Sequence, residues 1–185
     1  FWKRKFAIDV TISQAKPNSG HMVIAKLSKS GSISNVITQN IDNLHQDSGI
    51  PSNKIIELHG NTTYAKCLDC NFRVELETIK KNFEDTKKPP LCSKCGGIIK
   101  TATISFGQSM PEDEMRRAQE ATLSCDLFIV IGSSLKVYPA ANFPILAKKN
   151  KSKLVILNRE KTDLDTYADL VIHDEIGSFL LNSFR

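Results

Sequence analysis

Continuous apolar runs set the pattern of the second half of the chain. DLFIVIG (126–132), KLVILN (153–158) and ADLVIH (168–173) are short and rich in β-branched residues, and each predicts a fully buried strand. Between them lie helical stretches. EDEMRRAQEATLSC (112–125) has its acids in the first turn, where the helix dipole favours them. AANFPILAKKN (140–150) predicts a second helix, and EIGSFLLNSF (175–184) a short amphipathic one. In the first half, Pro17 and Asn18 open a turn and Met22, Ile24, Ala25 and Leu27 form an apolar helix face. Gly31 stands where that helix should stop. Two short strands follow, Val36–Thr38 and Ile55–Leu58, the second ending at His59-Gly60, and TATIS (101–105) predicts another, leading into FGQSMP. Apolar strands alternating with helices predict a doubly wound α/β fold, a parallel Rossmann-like sheet covered on both faces.

Two stretches depart from this rhythm. Residues 1–16 are basic and mixed, like the tail of an element that begins earlier. Residues 61–103 turn to Cys, Lys and polar side chains with Pro89 and Pro90 inside, which predicts an inserted module. The expected layout is therefore a remnant over 1–16, a Rossmann-like domain in two parts over 17–60 and 104–185, and the module over 61–103. No internal repeat or low-complexity segment interrupts it.

Composition narrows the function classes. With 185 residues, 41% of them hydrophobic, the chain can bury one sizeable core, or one core and a small module. The longest apolar run, Leu127–Ile131, is far too short to span a membrane, and no signal-peptide layout is visible. The net charge is +5, yet the lysines are scattered among acids without a basic stripe, so neither nucleic acid nor membrane is an expected partner. Five cysteines without a secretory signal point to a reducing, cytoplasmic setting, where paired cysteines more often bind metal than form disulfides. Because the chain begins with Phe1 rather than Met, it is expected to be a fragment or a processed product.

The cysteines carry the first clear chemistry. Cys67-x2-Cys70 and Cys92-x2-Cys95, with 21 residues between the pairs, have the double-knuckle form of a tetrahedral zinc site. A redox pair or ordinary buried cysteines is the competing reading. Four thiolates would fill a structural zinc sphere and leave no position for water, so one structural Zn2+ is expected and His59 is surplus to it. Cys125, at the head of an apolar strand, reads as a small buried hydrophobe. On its own, His59 also reads as a histidine satisfied by hydrogen bonds at a strand end. Its setting favours more, because strand C-termini line the ligand crevice of such sheets. TQNID (38–42), GSS (132–134) and LNRE (157–160) sit at strand ends too. Small residues after DLFIVI let the backbone approach a phosphate, and Asn158 could hydrogen-bond a ribose. Together they describe a nucleotide crevice containing a histidine.

The ordered set TQNIDNLHQDSG, ELHG, the two Cys-x2-Cys pairs, FGQSMP, GSSLKVYPAANFP and LNRE resembles the sirtuins, NAD-dependent protein deacylases, over almost the whole chain. The resemblance implies that His59 is a general base acting on the nicotinamide-side ribose. It implies that Gln39, Asn40, Ile41 and Asp42 bind nicotinamide and its ribose, and that Gly132, Ser133 and Ser134 form the phosphate and ribose turn. Asn158, Arg159, Glu160 and Ile176 match the adenosine end, and Ile104 and Phe106 the walls of an acyl-lysine tunnel. The implied partners are acyl-lysine proteins or peptides that pair with nearby backbone by strand addition. In the family the acyl oxygen attacks the anomeric carbon as nicotinamide leaves, and a neutral imidazole then helps a ribose hydroxyl attack the resulting imidate. The implied products are lysine, nicotinamide and O-acyl-ADP-ribose. Histidine suits the task because its ordinary pKa, about 6.5, leaves it largely a free base at neutral pH.

The chain departs from the family pattern in two places. The family's first strand, its Gly-Ala-Gly-type loop and its Asp-Phe-Arg segment have no counterpart, and no GxGxxG occurs. The chain is thus expected to begin inside the helical part of the small domain, which puts catalysis by this chain alone in question. The usual acid after FG is Gln108 here. Members that favour acidic acyl groups carry Tyr-x-x-Arg before the PN turn, whereas residues 1–18 contain no tyrosine and offer only Trp2 and Lys5 as nearest counterparts. Acetyl or another neutral acyl group is therefore the expected substrate. A zinc-module binding protein without catalysis, and ADP-ribosyl transfer, remain the alternative functions.

Overall fold

The computed structural model describes residues 1–12 and 14–184. In chain order its elements are α1 (Trp2–Ile12), α2 (Ser19–Lys29), β1 (Val36–Thr38), α3 (Leu44–Asp47), β2 (Ile55–Glu57), β3 (Gly60–Cys67), β4 (Arg73–Glu75) and α4 (Leu76–Thr86). There follow β5 (Ile99–Thr103), α5 (Glu112–Ser124), β6 (Leu127–Ile131), α6 (Asn142–Lys149), β7 (Lys153–Leu157), β8 (Leu170–Ile172) and α7 (Ile176–Ser183). They fall into two compact units. One comprises Phe1–Lys16, Gln39–Leu44 and His59–Met110, the other Pro17–Thr38, His45–Leu58 and Pro111–Arg185. No helix among the described residues is long and apolar enough to cross a membrane.

The second unit holds the parallel strands. β1 pairs with β2, and β7 lies between β6 and β8. Leu154, Ile156 and Leu157 of β7 are buried almost completely, each contributing about 2 kcal/mol from apolar burial. The flanking strands correct the expectation of full burial. Leu127 and Ile129 of β6 are 45% and 42% exposed, and Leu170 of β8 is 52% exposed. Each has β7 as its only hydrogen-bonded neighbour among the described strands, and an apolar run reads the same whether one face is covered or two. α6, through Ile145, and the residue that precedes it, Ala141, pack with Val130, Leu154 and Ile156.

α2 starts as expected. The Asn18 side chain accepts the His21 N–H at 3.1 Å, and the His21 ring reaches back to the Asn18 N–H in a capping box. Of the expected face Ala25 is buried and Ile24 and Leu27 pack against the core, but Met22 is half-exposed and Val23 is buried in its place. Val23 packs with Leu157 and Leu180, joining α2 to α7.

Asp169 ties β8 to its neighbours by accepting from Lys148 at 2.5 Å, Lys153 at 3.2 Å and the Leu154 N–H at 2.9 Å. The Lys148 ammonium and the Leu154 N–H outweigh burial and hold its carboxyl well below the usual carboxylate range. A carboxyl depressed by folding stabilises at pH values above its unfolded value, about 3.9, and the effect is lost as pH falls toward the folded value. Asp169→Asn therefore lowers the melting temperature at pH 7, and its difference from wild type narrows below about pH 4. A difference independent of pH in thermal melts would refute the assignment.

The first unit is antiparallel, with β3 between β4 and β5. TATIS contributes to β5 here and so belongs to this antiparallel sheet, not to a parallel one. The core gathers Trp2, Ala65, Cys67, Ile79, Cys92 and Ile99, with Phe6, Val74, Leu76 and Phe83 packed against it. α1 joins that core through Trp2, whose ring stacks on Phe6 at 5.6 Å, and Phe6 lies 6.0 Å from Phe83. α4 is a helix within the stretch that the sequence presents as polar. Leu76, Ile79 and Phe83 recur at i, i+3 and i+7, and Lys87 in the left-handed region ends the helix.

Candidate active site and metal centre

In the first unit, Gln39 and His59 each follow the last residues of a short parallel strand. The His59 ring places Nδ1 3.0 Å from the Gln39 carbonyl oxygen. A carbonyl only accepts, so Nδ1 carries the hydrogen and, in the neutral ring, Nε2 keeps the free lone pair. The backbone beside the ring is equally fixed. The His59 carbonyl accepts the Ile104 N–H at 2.9 Å, and Gly60 pairs with Thr103 at φ 71°. A Cβ on Gly60 would run into the Ala102 carbonyl, so glycine is required after the histidine by both space and conformation.

The loop carrying Gln39, Asn40, Ile41 and Asp42 is tied to the start of β3. The Ile41 carbonyl accepts the Thr62 N–H at 2.8 Å, and the Asp42 carboxylate accepts the Leu44 N–H at 3.0 Å. Asn61 completes the tie. Buried to 1% exposure, it donates to the Asn43 side chain at 2.8 Å and accepts from the Thr63 N–H at 2.8 Å and the Thr63 hydroxyl at 2.7 Å. Asn61 carries no signal of its own in the sequence. Nothing but its place two residues after His59 could have marked it, because its burial is a tertiary fact.

In the second unit the ends of β6 and β7 lie side by side. The Gly132 N–H donates to the Leu157 carbonyl at 3.0 Å, which brings the Gly132–Ser134 turn next to Asn158, Arg159 and Glu160. Gly132 sits at φ 63°, and a Cβ there would stand 3.0 Å from the Ile176 side chain, so the turn presents bare backbone beside Ile176. The Ser133 hydroxyl accepts the Leu135 N–H at 3.2 Å, and Ser134 is exposed. The Asn158 amide donates to the Glu160 carbonyl at 2.7 Å.

After β5 the chain turns through Ile104, half-buried, and Phe106, fully exposed. Gln108 braces this turn, its side-chain oxygen accepting from the Ser105 N–H and from Lys100, each at 3.2 Å. The bracing needs only an acceptor, which an acid would also provide.

The four knuckle cysteines converge, with all four Sγ atoms within 4.8 Å of one another; Cys67 and Cys95 are 3.5 Å apart and Cys70 and Cys92 3.7 Å apart. A tetrahedron with Zn–S bonds of about 2.3 Å has edges of about 3.8 Å, so the donor set fits one zinc ion. The two knuckles repeat one backbone pattern. The Asn71 N–H donates to the Cys67 carbonyl and the Gly96 N–H to the Cys92 carbonyl, with Asn71 and Gly96 both in the left-handed region. Burial pushes the Cys92 thiol up, but the N–H groups of Lys94 and Cys95 and the neighbouring thiols outweigh it and bring it down to about 7. At Cys95 the Gly97 N–H favours the thiolate, yet the Cys70 and Cys67 sulphurs push the thiol up to about 12. Four sulphurs this close ionise together only around a cation. His59 is not among the four grouped ligands.

The Sir2 family model matches residues 1–139. An NAD-dependent protein deacetylase of Rhodopseudomonas palustris is 54% identical over 179 residues, covering 97% of this chain and 71% of that protein. A solved structure of Sir2 bound to acetylated peptide superposes with a TM-score of 0.86 at 39% identity, covering 93% of this chain and 71% of that one. A Sir2–p53 peptide–NAD+ structure superposes with a TM-score of 0.85 at 40% identity, covering 93% and 70%.

Proposed function

The chain belongs to the Sir2 family, and from that premise we propose that it is an NAD-dependent protein lysine deacylase with His59 as general base. The observation that carries the reading is the His59–Gln39 hydrogen bond, which commits Nδ1 as donor and leaves Nε2 to accept a proton from a ribose hydroxyl. Asn61 supports the arrangement by holding the 39–43 loop against the strand that follows His59.

The other assignments follow the family pattern. Gln39, Asn40, Ile41 and Asp42 would bind the nicotinamide end of NAD, and Gly132, Ser133 and Ser134 the phosphates and ribose. Asn158, Arg159, Glu160 and Ile176 would bind the adenosine end, with Ile104 and Phe106 against the acyl-lysine. The bare backbone of Gly132 suits a phosphate, because a side chain there would exclude it. Cys67, Cys70, Cys92 and Cys95 would hold one Zn2+, which when bound supplies folding free energy. The unpaired, closely set thiols suit a reducing compartment, and we place the protein in the cytoplasm.

The structure also bears on the choice of acyl group. Lys5, the nearest counterpart of a carboxylate clamp, is buried and ion-paired with Asp9 one helical turn away. Its charge is already matched, and it lacks the planar fork of arginine. The full-length protein, given NAD and one peptide in acetyl and succinyl forms, should release nicotinamide in step with lysine and show the higher kcat/KM for the acetyl form. Product analysis by mass spectrometry checks this. Absence of NAD-dependent deacylation would refute the function, and a higher kcat/KM for the succinyl form would refute the specificity alone.

A further inference from the structure

Asn158 is held by more than the strand that it ends. Its N–H donates to the Ile172 carbonyl at 3.1 Å, continuing the β7–β8 ladder by one residue. Its carbonyl faces Nδ1 of His173 at 2.9 Å. Its side-chain amide folds onto the Glu160 carbonyl, which uses one amide N–H and not the amide oxygen. The other side of the imidazole is engaged as well, with His173 Nε2 3.3 Å from the Asp165 carboxylate. That carboxylate is itself fixed, accepting the Thr162 hydroxyl at 2.6 Å. The Asp165 carboxyl lies below its ordinary value, mainly through the Thr162 hydroxyl and further through His173.

We propose that His173 is a positioning residue for the nucleotide-binding turn, an imidazole strut between the Asn158 carbonyl and the Asp165 carboxylate that sets the angle at which Asn158 meets the adenosine-side ribose. The proposal rests on the deacylase reading, in which Asn158–Glu160 bind the adenosine end. The chemistry is specific to a ring with two nitrogens on opposite sides. The carbonyl only accepts, so Nδ1–H must donate to it; the carboxylate also only accepts, so Nε2 bonds it when that nitrogen carries a hydrogen too, as both do in the imidazolium. A phenyl ring would fill the space with neither bond. Asparagine would keep a donor near the Nδ1 position and lose the carboxylate contact.

The strut fixes a binding residue and touches no reacting atom, so its loss acts on NAD affinity and not on turnover. In the full-length protein, His173→Ala should raise KM for NAD by about tenfold, the equivalent of about one lost hydrogen bond to an oriented group. Its kcat should stay within about twofold, and KM for the acyl peptide should not change. His173→Asn should recover most of the loss, and His173→Phe should behave like alanine. An unchanged KM for NAD in a folded alanine variant overturns the proposal, as does an asparagine variant no better than phenylalanine. Should the variants fail to fold, the wild-type ring decides the matter by 15N NMR, where Nδ1 must carry the hydrogen; an unprotonated Nδ1 overturns the strut. Failure of the deacylase reading looks different, because wild type itself would then show no NAD-dependent turnover.

Discussion

His59→Ala in the full-length protein lowers deacylation by about 10²–10⁴-fold, the usual contribution of a positioned general base, while NAD binding stays close to wild type. The expectation follows from where the ring is anchored. Nδ1 is committed to the Gln39 carbonyl, so Nε2 is the only ring atom available as base, and alanine removes it without disturbing a buried core. The neighbouring backbone keeps its own bonds, with the residue-59 carbonyl still receiving the Ile104 N–H. Single-turnover kinetics together with calorimetric titration of NAD separates the two effects. Turnover within about tenfold of wild type would show that another group takes the proton.

Removing the metal has the second large effect. The purified protein should contain one zinc per chain, and Cys92→Ala, or exhaustive chelation, should melt the first unit at ordinary temperatures. Structural zinc sites in small modules contribute about 10–16 kcal/mol, comparable with the whole stability of a typical domain. Here the loss is not confined to the ligands, because Cys67 and Cys92 are also members of the buried core with Trp2, Ile79 and Ile99. Metal analysis and near-ultraviolet circular dichroism provide the check. A Cys92→Ala protein that melts like wild type would remove the structural role.

What was legible in the sequence was whatever depends on local pattern. Val36–Thr38 matches β1 residue for residue, and Asn18 opens α2. The cysteine spacing led directly to the observed cluster, because a two-residue gap permits only a tight knuckle. What was not legible depends on neighbours. β6 reads as fully buried, yet Leu127 and Ile129 are exposed, because a residue's own polarity does not say how many faces of its sheet are covered. Met22 and Val23 are adjacent apolar residues, and only packing against Leu157 and Leu180 selects the second for the core. α4 is obscured in the sequence for another reason. Its three apolar residues have helical spacing, but lysines and acids around them dilute the signal below that of the flanking cysteine motifs. In the site, His59 and the strand-end turns are visible as motifs. Asn61 and His173 matter only through partners that the fold brings to them.

β3 begins at Gly60, directly after His59, and ends at Cys67, a zinc ligand. The proposed base and the metal ligands are thus joined by one strand, which pairs with β5 at Gly60 and again over Ala65–Cys67 with a register shift between. An oxidant that takes the exposed Cys70 or Cys95 into a disulfide would remove zinc ligands without altering His59 itself. By expelling zinc it would nonetheless unmoor the far end of the strand that holds the histidine in register. Enzyme activity then becomes a readout of metal occupancy, lost under thiol stress and restored by reduction and zinc.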